Sequence, residues 1–279
     1  MTHLGKTVAF RAMHTTGRVL VLPNVWDVAS ACLAEDAGAA AIATTSAGVA
    51  WSIGAADGDQ LERGRALDLI ARVVAAVDVP VTADIESGYA KTPDGVGETI
   101  QAVLAAGAVG VNLEDVGAAG TPPLRPIEEQ SERLAAARRA AEAAGTPLFV
   151  NARVDTYLRA VGDPNARFEN TVTRASAYIA AGADGIFVPG VTDLVTVSAL
   201  ARAIGAPLNI LVGPGAPTVE ELAELGVARV SVGSSIALAA YALAQRGIRE
   251  LLTAGTYASL VGGLSYHEVN RLLARRTAP

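Results

Sequence analysis

Along the chain, short apolar, β-branched runs alternate with longer segments rich in Ala, Leu, Arg and Glu. The apolar runs cover 18–22, 40–44, 79–83, 110–113, 147–151, 185–188, 207–212 and 228–232. Most are continuously apolar rather than alternating, which is the pattern of parallel strands covered on both faces. Segments of helical periodicity lie between them, for example 28–36, 66–77, 96–105, 127–144, 169–180, 192–204 and 219–225. Five of these helices run into Gly38, Gly107, Gly145, Gly182 or Gly226 just before the next strand run. Glycine there supplies the left-handed cap that turns the chain back. Eight such units, with no Gly-rich phosphate fingerprint after the first strand, predict an α/β fold closed as a (β/α)8 TIM barrel rather than an open sheet. Two stretches break the rhythm, 49–65 and 116–126, and long loops after barrel strands are lid candidates.

The length of 279 residues fits one barrel domain spanning 1–279, with a C-terminal helical extension from about 240 to 279. Composition refines this picture. Hydrophobic residues make up 51% of the chain and aromatics only 4%, as expected for a parallel sheet under Ala-rich helices. The net charge of −6, with no Lys/Arg run, argues against nucleic acid or an anionic membrane as a partner. No stretch reads as a signal peptide or a membrane span, and one cysteine, Cys32, excludes an internal disulfide. The expectation is a soluble, cytoplasmic protein.

In this fold the chemistry stands at the C-terminal ends of the strands. Neither lysine, Lys6 or Lys91, is placed there, which disfavours a Schiff-base mechanism. His3, His14 and His267 also lie elsewhere, so imidazole catalysis and a His-ligated zinc are not expected. Cys32, inside the first helix run, reads as a small buried thiol. What remains is acidic: Asp84 and Glu86 after the third strand run, and Glu114 after the fourth. Three converging carboxylates repel one another unless a cation neutralises them. An all-oxygen donor set selects Mg2+, with Mn2+ possible. The competing reading is that these acids cap helices or pair with arginine. Arg153, after the fifth run, can hold a substrate carboxylate or pair with Glu114 or Asp155. Ser46, Ala47 and Gly48 offer backbone N–H groups suited to a carboxylate or oxyanion. Asn24 stands at the end of the first run as a further substrate-binding candidate.

Five stretches, taken in order, make the chain resemble the isocitrate lyase/phosphoenolpyruvate mutase superfamily from about Phe10 to about Leu260. They are Leu22-Pro23-Asn24-Val25-Trp26-Asp27, Thr44-Thr45-Ser46-Ala47-Gly48, Ala83-Asp84-Ile85-Glu86-Ser87-Gly88-Tyr89, Val111-Asn112-Leu113-Glu114-Asp115 and Asn151-Ala152-Arg153-Val154-Asp155. The resemblance implies Mg2+ on Asp84, with Glu86 and Glu114 contributing directly or through water. It also implies that Ser46, Ala47, Gly48 and Arg153 contact a pyruvate-like group, and that Asp57 is the acid on the loop after the second strand. The implied chemistry makes or breaks a C–C or C–P bond next to an α-keto acid through a metal-held pyruvate enolate. Members often form homo-oligomers, dimers or tetramers, with a C-terminal helix exchanged between subunits.

Two departures qualify this. Glu86 stands where members usually carry Asp. The 116–126 stretch lacks both the Cys of the lyase members and the Lys and Asn of the mutases. With that Cys absent, protonation would fall to water, Tyr89 or Asp57. The leading expectation is therefore a Mg2+-dependent lyase acting on a small α-keto or 2-hydroxy acid. An oxaloacetate-type decarboxylase, an acyl-pyruvate hydrolase or a phosphonomutase is an alternative. A non-catalytic metabolite-binding barrel is a further one.

Overall fold

The structure is a computed structural model that describes residues 1–117 and 121–274. Nine parallel strand segments form one sheet: β1 Leu20–Leu22, β2 Asn24–Val25, β3 Ile42–Thr44, β4 Val81–Asp84, β5 Gly110–Glu114, β6 Phe149–Arg153, β7 Gly185–Val188, β8 Leu208–Leu211 and β9 Arg229–Ser231. Their order is β1-β9-β8-β7-β6-β5-β4-β3-β2. The two ends of that order, β1 and β2, are halves of one strand parted by Pro23, which has no N–H for a ladder. The eight predicted runs thus become an eight-stranded TIM-type barrel whose first strand is broken.

Asn24 bridges the break. Its Oδ1 accepts from the N–H groups of Val232 and Gly233, both at 2.9 Å, while its Nδ2 donates to the Thr44 carbonyl at 3.0 Å. The side chain so joins the last strand to the second and third segments of the ring.

Helices follow the strands as the periodicity predicts: α2 Val28–Asp36, α4 Arg63–Ala76, α5 Pro93–Ala105, α6 Ile127–Ala143, α7 Arg167–Ala180, α8 Leu194–Ala203 and α9 Val219–Glu224. The helices α4 and α5 begin three residues before the predicted starts, for local reasons. The Glu62 carboxylate accepts from the N–H groups of Gly64 and Arg65, and Thr92 caps α5 with Pro93 in its first turn. All five predicted helix-end glycines adopt positive φ, between 64° and 104°. Two helices escaped the periodicity. One is α3, Ser46–Ser52, in the stretch expected to be turn and loop, and the other is α1, His3–Met13. α1 covers the N-terminal end of the barrel, where Phe10 packs with Leu20, Leu22, Ala41, Ala43, Val109 and Phe149. Beyond the barrel, α10 runs over Ser235–Ala254 and α11 over Tyr266–Ala274, whose Leu272 packs with Cys32 and Ala76. Among the described residues no helix is long and apolar enough to cross a membrane.

The middle of the lumen is polar. Asn151 donates to the amide oxygens of Asn112, at 2.9 Å, and Asn209, at 3.2 Å, and Arg229 donates to Asn112 at 3.2 Å. Arg229 is fully enclosed. Below it, the His14 ring stacks on Phe149 with centroids 3.8 Å apart. Burial, with the nearby Arg229 charge, pushes the His14 pKa down from 6.5 to about 3. The unfolded chain binds that proton below about pH 6.5, and the folded chain refuses it down to about pH 3. This contribution to stability is therefore fully present above pH 6.5 and falls, by up to about 1.4 kcal/mol per pH unit, as the pH drops toward 3. Urea titrations across that window should show a weaker slope in His14→Gln than in the parent; equal slopes would remove His14 as the cause.

Candidate active site

The reacting end of the barrel is built from β3 to β7. At the end of β4, one oxygen of Asp84 accepts from the backbone N–H of Ser46, 3.1 Å, and from its hydroxyl, 2.9 Å. The Asp84 N–H donates to Thr44 Oγ1 at 2.9 Å. The sharp start of α3 makes this possible. A Cβ on Gly48 would lie 2.7 Å from Trp26 Cβ and 2.8 Å from Thr45 Cγ2, so only glycine lets the first turn of α3 press against Trp26.

The loop after β4 is wound tightly. Glu86, Gly88 and Tyr89 have φ of 50°, 94° and 49°. Non-glycine residues occupy that region at a cost, so other contacts must hold the loop. Arg133, fully buried on α6, donates to the carbonyls of Ser87 and Ala90. Thr99 donates to the Gly88 carbonyl at 2.9 Å. Asp59, itself at φ 56°, donates its N–H to the Glu86 carboxylate and accepts from the Ser87 hydroxyl at 2.5 Å. The other Glu86 oxygen, Oε1, is buried and has no hydrogen-bond partner. Burial, together with Asp59, Asp84 and Asp57, pushes the Glu86 carboxyl up to about 7, against the pull of the Asp59 N–H.

Across the mouth, Arg153 carries two carboxylates. Its Nη1 lies 2.6 Å from Glu114, while Nε and Nη2 donate to the two oxygens of Asp155 at 2.6 and 2.8 Å. Both salt bridges weighed for Arg153 are thus present. Burial drives the Glu114 carboxyl upward, and the Arg153 guanidinium beside it opposes that. The Arg153 guanidinium carbon also lies 5.9 Å from the centre of the Phe187 ring. Asp57, on the loop that leads from α3 to α4, is raised by burial and by Asp84. Tyr89 is raised by burial and by Glu86, so its phenol keeps its proton.

Asp84, Glu86 and Glu114 do stand at adjacent strand ends, but they do not share one point. Among the described residues no group of three or more His, Cys, Asp or Glu side chains is gathered as a metal-holding cluster. Each acid is engaged by its own neighbour: Ser46 engages Asp84, Asp59 engages Glu86 and Arg153 engages Glu114. The donor set nonetheless fits a hard cation. It is all oxygen, and Glu86 Oε1 is a buried acceptor still without a donor. Asn24 has its amide committed to ring closure. The lid stretch falls partly outside the described residues, at 118–120.

Sequence reasoning missed the support beneath these groups. Fully buried Asp115 accepts from the Asp155 N–H at 3.0 Å, from Arg174 at 3.0 Å and from the Tyr178 hydroxyl at 2.8 Å. Its carbonyl accepts from the Arg125 N–H at the far end of the lid stretch, 2.8 Å. The Glu114-Asp115 pair was the available signal, because two acids at one strand end face opposite sides.

A family model for phosphoenolpyruvate phosphomutase matches residues 10–252. The chain belongs to the phosphoenolpyruvate phosphomutase family. This places it in the isocitrate lyase/phosphoenolpyruvate mutase superfamily, and its relatives include enzymes. An uncharacterized protein of Mycobacterium tuberculosis is 40% identical over 87% of this chain and 90% of its own length. The 2-methylisocitrate lyase of Escherichia coli is 32% identical over 72% of this chain and 67% of that enzyme. The crystal structure of a Burkholderia cenocepacia protein, described only as a lyase or mutase, superimposes with a TM-score of 0.92 at 39% identity, covering 99% of this chain and 98% of that one. A phosphonopyruvate hydrolase bound to oxalate and Mg2+ superimposes with a TM-score of 0.84 at 25% identity, over 97% and 95%. The phosphomutase-family match runs from Phe10 on α1 to Leu252 on α10 and includes every strand.

The Asp115 network gives a direct test of how the mouth is supported. Asp115→Ala leaves buried Arg174 without its counter-charge and should cost about 3–5 kcal/mol of unfolding free energy. Chemical denaturation reads this, and a loss below about 1 kcal/mol would show the network to be dispensable.

Proposed function

We propose that this chain is a divalent-cation-dependent lyase-type enzyme that breaks a C–C bond, or a C–P bond, next to an α-keto acid. The observation that carries this is the arrangement of charge at three neighbouring strand ends. Asp84 is held by Ser46, Glu86 keeps a buried oxygen unpartnered, and Glu114 is bridged to Asp155 by Arg153. The phosphonopyruvate hydrolase relative, with its oxalate and Mg2+, supports the same reading.

Asp84 would hold the cation, with Glu86 and Glu114 assisting directly or through water. Mg2+ is the expected ion and Mn2+ a substitute; it would supply positive charge where the keto oxygen becomes anionic. The N–H groups of Ala47 and Gly48, in the first turn of α3, would be available to the same developing charge. Arg153 orients the substrate carboxylate with the donor capacity left beyond its two bridges. When the bond breaks, its electron pair passes from the α-carbon into the keto group. A proton must then return to that carbon, and Asp57, whose pKa burial raises, can hold it in position. Tyr89, kept protonated beside Glu86, is the other donor.

We further propose that the working protein is a homo-oligomer, a dimer or tetramer with C-terminal helix exchange. An apolar groove of about 960 Å³ runs along the outer face of β1, lined by Val21, Leu33, Val212, Val219 and Ile236 among others. On the same chain, α10 leaves Leu238, Ile248, Leu251 and Leu252 exposed. Groove and helix are complementary in chemistry, and the helix of a second copy is the occupant that matches.

Two measurements test these readings. Pyruvate release from a panel of α-keto and 2-hydroxy acids should require Mg2+. Asp84→Ala should abolish it and weaken Mn2+ binding by about 100-fold. No turnover on any acid, together with unchanged ion affinity in the variant, would sink the proposal. Light scattering should report a dimer or larger, and Val21→Lys should shift it toward monomer; a monomeric parent protein would exclude helix exchange.

A further inference from the structure

The mouth has a second side that the chemistry above does not use. Glu114, Arg153, Phe187 and Asn209 are successive register partners across β5, β6, β7 and β8, so their side chains all point to the same face of the sheet. The Asn209 side chain points into the lumen, where it bonds to Asn151 and Ser231. Leu211, two residues further along β8, therefore faces the same way, nearer the mouth. It lies close to the end of β9, since a Cβ on Gly233 would come within 3.0 Å of Leu211 Cδ1. Phe187 and Leu211 thus form an apolar wall on the lumen face of β7 and β8, and β8 stands across the ring from β4, which ends at Asp84.

Among the described residues, the cations nearest that wall are already paired with carboxylates, and the donor capacity left on Arg153 is taken by the head carboxylate. The Nε, Nη1 and Nη2 groups of Arg153 already serve Asp155 and Glu114, and Arg159 lies 3.7 Å from Asp155. Arg229 lies deeper, sealed in the lumen. The stretch after β5 contains no Lys, Arg or His before Arg125, which pairs with Glu129 at 2.6 Å. A second carboxylate on the substrate would meet Phe187 and Leu211 and leave water without a partner, which is strongly unfavourable. An alkyl or uncharged acyl group would gain from the same surface.

We infer that Phe187 and Leu211 determine specificity, and that the substrate is a monocarboxylic α-keto or 2-hydroxy acid whose remaining portion is uncharged and apolar. This rests on the proposal that the mouth holds the α-keto acid head beside a divalent cation. Oxalate carries only that head, so it separates the two ideas.

The test is competition against oxalate, by calorimetry on the full-length protein in Mg2+. Two ligands of similar shape are compared: 5-methyl-2-oxohexanoate, which ends in an isopropyl group, and 2-oxoglutarate, which ends in a carboxylate. The alkyl acid should bind at least about tenfold more tightly. If oxalate binds and 2-oxoglutarate equals or exceeds the alkyl acid, the inference is overturned while the functional reading stands. If oxalate itself does not bind, the functional reading falls and takes the inference with it. Leu211→Arg, checked for a native thermal transition, should bring the ratio to one or reverse it, with oxalate affinity held within about threefold. An unchanged ratio would remove Leu211 from the wall. Leu211→Gln is the smaller perturbation, expected to shift the ratio the same way if the arginine variant does not fold.

Discussion

Like charge crowded into a buried place is the constraint around which the mouth of this barrel is arranged. Asp57, Asp84, Glu86, Glu114 and Asp155 stand on neighbouring strand ends and loops, and burial pushes Asp57, Glu86 and Glu114 toward the neutral form. The structure answers four of them with three kinds of donor: a helix-start N–H and hydroxyl at Asp84, a loop N–H at Glu86, and one guanidinium shared by Glu114 and Asp155. The local backbone serves those donors. The start of α3, the left-handed turns at Glu86 and Tyr89, and the reach of Arg133 from α6 all position an N–H or a carboxylate that would otherwise be absent.

The fold was largely legible because it is repetitive. Eight apolar runs and five glycine caps state the barrel many times over, so an error in any one unit leaves the rest intact. Helix α1 was not legible, since its role is to plug one end of the barrel and only two of its residues, Thr7 and Phe10, are buried. Helix α3 hid because its short glycine-containing sequence reads as a turn. Only the close fit of Gly48 against Trp26 explains why it winds up.

The site was legible by residue type but not by connection. Reading acids off strand ends located Asp84, Glu86 and Glu114, because strand period and barrel polarity place them there. It could not show that each would be engaged by a separate neighbour, because those neighbours, Ser46, Asp59 and Arg153, come from elements 27 or more residues away in sequence. Nor could it separate the twin acids of the Glu114-Asp115 pair into a residue facing the mouth and a residue holding the wall, which requires knowing that Arg174 and Tyr178 wait behind the strand. Asn24 shows the same limit: a polar residue at a strand end reads as a ligand contact, and its amide is spent on the barrel itself.

That amide has a consequence for the order of events in folding. Asn24 reaches Val232 and Gly233 at sequence separations of 208 and 209. Loop closure over such a span carries a large entropic cost, and contacts of this kind form late. The first strand, interrupted at Pro23, must wait with one half unpaired until nearly all of the chain has been made. The native partner of β1 is β9, the last strand of the barrel, so the ring can close only once the chain has been made as far as Ser231.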